Sequence, residues 1–163
     1  MATGDTLCTF FPADNEPTTT NYATFDTRNN HLVLDFDTTT GETAFFTGLL
    51  PRNYAAGGIT VYVHHAASTA TSGTMGWLIA FERIGNAQQD LDADGFAGDQ
   101  TVTAATVPAT SGNVNITNVA ITDGANIDSI AVGEVFRLRI TRDVANDTAA
   151  GDAELVAIEL KET

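Results

Sequence analysis

The sequence predicts an all-β fold, an antiparallel β-sandwich of about ten short strands with little helix. Three observations carry the prediction. Apolar residues alternate with a period of two far more often than they recur at helical spacing. Threonine, whose branched Cβ favours extended backbone, is among the commonest residues. Glycine and asparagine turn signals punctuate the apolar runs at sandwich spacing.

Taken in order, the first run is 6–11, which carries Cys8 within an apolar stretch. Segments 22–27 and 31–36 follow, separated by Asn29 and Asn30, the residues that tolerate the positive φ of a tight hairpin. Segment 43–50 lies beyond Gly41. In 58–65, Ile59, Val61 and Val63 share one face against Thr60, Tyr62 and His64. Segments 75–84, 101–107 and 113–122 come next. Segment 134–143 has the cleanest pattern, with Phe136, Leu138 and Ile140 inward and Arg137, Arg139 and Thr141 outward. Arg137, Arg139 and Arg142 are expected to pair with acids on a neighbouring strand, Arg137 as an exposed cross-strand partner. Segment 153–161 closes the set, and Trp77 is also expected inward. The best helix candidates are short, at 87–96 and 125–130.

A chain of 163 residues fits one domain, 1–163, with a core large enough to need no disulfide or metal. Cys8 is the single cysteine and reads as a small buried hydrophobe. The net charge of −14, from 21 acids against 7 bases, disfavours direct contact with nucleic acid or with anionic membranes. The first residues show no basic segment followed by an apolar one, so the expectation is synthesis in a cytoplasm without a signal peptide.

Two runs, 77–81 and 155–158, are apolar on both faces, whereas a sandwich strand normally turns one face to water. Covering loops or a partner subunit would account for this. The second reading makes Trp77, Leu78, Ile79, Leu155 and Ala157 candidate subunit-interface residues.

Candidate chemistry is sparse. His64 and His65 are adjacent in a strand and point to opposite faces, so they do not share a metal. No Gly-x-Ser-x-Gly elbow is present, and acids are too plentiful for a glycosidase pair to stand out. The chain is therefore read as non-enzymatic, with no catalytic residue and no organic cofactor. Asp90, Asp92 and Asp94, followed by Gly95, match the first half of a calcium loop. The twelfth position is Thr101 rather than a bidentate Glu, and an ordinary acidic loop is the competing reading.

Two stretches carry a family resemblance. The first runs from Tyr22 to Asp37 and continues through Leu50-Pro51-Arg52-Asn53-Tyr54 and Gly57 to Val61. The second runs from Ala131 to Asp143, then through Asp147-Thr148 and Gly151 to Leu155. Together they resemble jelly-roll domains in structural proteins of tailed-phage virions, found as capsid decoration (cement) proteins and in tail or fibre appendages. The resemblance implies a jelly-roll sandwich at the virion surface. It implies a homotrimer bound to the major capsid protein or other virion proteins, stabilising the head, and it transfers no catalytic residue. The alternatives are a tail or fibre appendage, or a carbohydrate-binding module serving host attachment. A carbohydrate-binding module would show an exposed face with aromatics and amides.

Overall fold

A computed structural model of the chain describes residues 3–87 and 90–163. The chain forms ten strands in order: β1 (Thr6–Phe10), β2 (Thr24–Arg28), β3 (His31–Phe36), β4 (Thr43–Leu49), β5 (Ile59–Ala67), β6 (Thr74–Ile84), β7 (Gln100–Thr106), β8 (Asn115–Ile121), β9 (Val135–Arg142) and β10 (Ala153–Glu162). They build two antiparallel sheets, the jelly-roll sandwich that the sequence predicts. One has the order β2-β3-β10-β5-β8, with β1 pairing the second half of β10; the other has the order β4-β9-β6-β7.

The period-two pattern sets the inner faces. Ile59, Val61, Val63, Trp77, Phe136, Leu138 and Ile140 are all fully buried between the sheets. Aromatic rings tie the layers together: Phe36 meets the Trp77 ring edge-on at 5.0 Å, and Phe10 lies 5.5 Å from Phe46. Cys8 is half-buried against this core, its thiol 3.5 Å from the Leu49 carbonyl oxygen and pushed up in pKa by burial.

The β9 alternation carries one residue further than its apolar members. Arg142 continues the inward series, and its side chain is fully buried. Its Nε donates to Asp147 Oδ2 at 2.8 Å, and Nη1 donates to the carbonyls of Phe36 and Gly151 at 2.9 Å each. The expected acidic partner is thus in the loop after β9, not on a strand. The pair closes the end of the core and holds the segment leading to β10. Arg137, expected as an exposed partner, is also half-sequestered: it bonds Glu82 at 3.0 Å and lies 4.6 Å over the Phe45 ring.

The two runs that are apolar on both faces have separate causes. On β6, Trp77, Ile79 and Phe81 face the core, while Ala80 faces outward and is nonetheless fully buried. The chain itself covers it. Ala80, Arg139 and Phe45 lie in one outward row, and Phe96 stacks on Phe45 at 5.3 Å. Ala97 N–H bonds the Phe81 carbonyl and Asp99 pairs with Arg139 at 2.8 Å. On β10 the pairing to β5 slips between Leu155 and Ala157. This bulge inserts Val156 and resets the phase, so Leu155 and Ile158 both face inward although three positions apart.

Among the described residues helix is confined to two short 3-10 turns, Pro12–Asp14 and Ala125–Ile127. The second replaces the helix expected at 125–130. Of the helix expected at 87–96, the described part is not helical: 90–96 holds a turn and irregular backbone, and Gln88 and Gln89 lie outside the described residues. The carboxylates and Gly95 favour turns, and the segment is anchored by half-buried Phe96 stacking on Phe45.

Candidate functional site

The main concavity is a cleft of about 480 Å³ on the outer face of the six-stranded sheet. Its construction follows from three local features. Asn29 and Asn30, with φ of 47° and 65°, turn β2 into β3 as a two-residue hairpin that pairs Arg28 with His31. That hairpin makes one wall. The loop before β8, with Ser111, Gly112, Asn113 and Val114, makes the other. Between them the floor is apolar: Val33 of β3 and Ala66 of β5 are 3% and 2% exposed, and the β10 bulge aims Val156 into the same space.

Polar groups converge above this floor. Arg28 Nη1 donates to Glu154 Oε1 and Oε2 at 3.0 and 2.8 Å and to the Ser68 carbonyl at 3.0 Å. Glu154 is almost wholly buried, so the guanidinium is what permits its charge there. Gly112 has a φ of +81°, and a Cβ on it would lie 2.5 Å from Arg28 Nε. Glycine is therefore required on two counts, backbone conformation and room for the guanidinium. The side chains of Asn29 and Asn113 make no hydrogen bond to any of the described residues, leaving two amides open to the cleft.

Acids crowd one side. Asp35 faces Glu154 across the β3–β10 pairing, and Asp26 faces Val33. Burial, then the negative charges of Glu154, Asp26 and Asp152, raise the Asp35 carboxyl from 3.8 to about 6. Asp35 Oδ1 is buried without a hydrogen-bond partner among the described residues.

The residues singled out from sequence fall elsewhere. Trp77, Ile79 and Leu155 belong to the chain's own core, whereas Leu78 and Ala157 are half-exposed on outer faces. Asp90 and Asp92 are exposed and Asp94 is half-buried, along a turn in which Asp90 accepts the Asp92 N–H at 3.0 Å. Among the described residues no three His, Cys, Asp or Glu side chains converge as a metal site. His64 is half-exposed on the outer face, while His65 is fully buried with its ring 5.4 Å from that of Trp77. Sequence reading missed the cleft because its parts come from β2, β3, β5, β10 and a loop. The one local signal was the pair Asn29-Asn30, which was read for its turn alone.

The outer face of the other sheet carries a pair of half-exposed aromatics. Phe45 and Phe96 are stacked there, with Arg137 4.6 Å from the first ring centroid and Arg139 4.8 Å from the second. Both rings are thus already engaged within the chain.

No family model matches this chain, and no curated protein matches it. Solved structures do resemble it. One is the CBM22-1 and GH10 modules of the Clostridium thermocellum endo-1,4-β-D-xylanase 10B, complexed with xylohexaose. The similarity there has a TM-score of 0.52 and 13% identity, over 99% of this chain and 29% of that one. This chain therefore spans less than a third of that protein. Others are the CBM22-2 xylan-binding domain of Paenibacillus barcinonensis Xyn10C (TM-score 0.49, 13% identity, 92% of each chain) and the family 11 carbohydrate-binding module of Clostridium thermocellum (TM-score 0.47, 9% identity, 100% and 98%). At such identities the likeness is one of fold: two antiparallel sheets make this chain an all-β sandwich of the jelly-roll type, in keeping with the xylanase 10B match.

Proposed function

We propose that this chain is a non-catalytic binding domain whose ligand is a glycan, held in the cleft between the β2–β3 hairpin and the loop before β8. The observation that supports this reading is the cleft itself. It combines an apolar floor with unpaired amides and a fixed guanidinium–carboxylate pair, the mixture that small polar ligands with apolar faces require. The carboxylate in the cleft argues for binding over catalysis, since both Glu154 oxygens are held by Arg28. The cleft lacks an aromatic platform, so affinity rests on hydrogen bonds and the ligand is expected to be bound weakly. Calorimetric titration with oligosaccharides tests the reading. Saturable binding that Asn113→Ala weakens supports it, and an absence of binding across chemically diverse sugars refutes it.

A second reading places the chain at the surface of a tailed-phage virion, and the two sequence stretches that begin at Tyr22 and Ala131 favour it. On this reading the domain decorates the head as a homotrimer seated on the major capsid protein. A glycan-binding appendage at the tail joins both readings. Three copies would carry 3 × −14 = −42 formal charges, so association is expected to strengthen with salt. Labelling the protein on intact particles separates the two locations: many copies over the head mark decoration, and a few at one vertex or along the tail mark attachment.

A further inference from the structure

We infer that Arg28 is the residue that reads the ligand in the cleft, and that the cleft selects neutral sugars with adjacent hydroxyls over uronic acids. The inference rests on the glycan reading above. It starts from an asymmetry in the Arg28 guanidinium. All its hydrogen bonds within the chain leave from Nη1, to Ser68 and Glu154. Nε and Nη2 make none with the described residues, although they form the edge of the fork from which two parallel N–H donors project. That edge lies against Gly112, in the space a side chain there would fill, and Arg28 is 34% exposed. A fixed, half-exposed fork with free donors beside an apolar floor suits two neighbouring acceptor oxygens on a ring whose C–H face rests on Val33, Ala66 and Val156.

A carboxylate would match the same fork, and the surrounding charge decides between the two. Glu154 already offsets Arg28, and no second Arg or Lys lines the cleft. Asp26 and Asp35 stand on the same outer face, in a chain of net charge −14. An incoming carboxylate therefore meets uncompensated negative charge, whereas a diol accepts from the fork at no such cost. The open amides of Asn29 and Asn113 can each donate to a hydroxyl oxygen and accept from a hydroxyl proton, again favouring polyols over anions.

The experiment is calorimetry at 150 mM salt with matched-length neutral hexasaccharides (xylo-, gluco-, galacto- and manno-) and oligogalacturonates. Neutral binding that is at least tenfold tighter than uronate binding is expected. Arg28→Lys keeps a charge for Glu154 but loses the fork, so it should cost tenfold or more for the neutral ligand without a matching fall in melting temperature. Should Arg28→Lys not fold, Asn113→Ala and Gly112→Ala supply the test, the second by pushing the guanidinium aside. Uronates bound as tightly as neutral sugars would overturn the inference, as would full affinity in Arg28→Lys or, in its place, in Gly112→Ala. If no sugar of either class binds, the glycan reading itself fails and this assignment falls with it.

Discussion

At the scale of single residues, burial pushes two titratable groups in opposite directions, and the pair gives the chain a distinctive response to pH. His65 is enclosed beside Trp77 in the core, and burial lowers its pKa from 6.5 to about 4. The folded state therefore keeps it neutral while the unfolded chain takes up a proton below 6.5. Its stabilising contribution is complete above pH 6.5 and is lost as pH falls toward 4. Asp35 works the other way, because its folded pKa of about 6 exceeds the ordinary 3.8. Here the folded state binds the proton more tightly, so stability is lost as pH rises from about 4 through 6. Above pH 6, Asp35→Asn should stabilise the chain by about 1 kcal/mol, less than the full displacement implies because the group is partly solvated. The gain should vanish below pH 4. Thermal melts of both proteins between pH 4 and 8 check this. A constant difference across the range would mean that Asp35 does not titrate as its surroundings dictate.

At the scale of elements, β9 shows what a sequence pattern reveals and where it stops. The alternation of Phe136, Leu138 and Ile140 was legible because burial on one face imposes a period of two, and all three are buried. The same parity placed Arg142 inward, but a charge is read as exposed by default. Only the fold supplies Asp147 and the backbone carbonyls that make its burial tolerable. The bulge at Val156 was likewise hidden, because a phase slip and a strand apolar on both faces look alike in sequence. The cleft was illegible for a related reason: its floor residues are 33, 66 and 156, brought side by side by strand pairing alone. The two faces of β9 also make a measurable contrast. Leu138→Ala should cost about 2–5 kcal/mol by opening a cavity in the core. Arg137→Ala should cost about 1–3 kcal/mol, more than an exposed ion pair would, because it strands the nearly buried Glu82 and uncovers the Phe45 ring. Chemical denaturation measures both. A cost for Arg137→Ala close to zero would show that Glu82 finds water once its partner is gone.

At the scale of the whole molecule, composition sets a background against which every local interaction acts. With 21 acids and 7 bases, most carboxylates have no cation to pair with. The bases that exist are largely committed: Arg28 to Glu154, Arg83 to Glu134, Arg137 to Glu82, Arg139 to Asp99 and Arg142 to Asp147. Salt acts on these two populations with opposite sign. It weakens exposed pairs such as Arg139–Asp99, each worth at most about 1 kcal/mol, and hardly touches the buried Arg142–Asp147 pair. It also screens repulsion among the remaining acids, a sum over many distances that a Debye length of about 30 Å at 0.01 M leaves almost intact and one of about 8 Å at 0.15 M largely removes. Repulsion involves far more partners than the exposed pairs do, so it should dominate. Melting temperature is accordingly expected to rise by about 2–4 °C over that salt range at pH 7, corresponding to about 1 kcal/mol for a chain of this size. The rise should shrink at pH 4, where protonation removes much of the negative charge. A melting temperature that falls with salt at pH 7 would mean that the ion pairs outweigh the repulsion, and that the acids are spread too widely over the surface for their sum to matter.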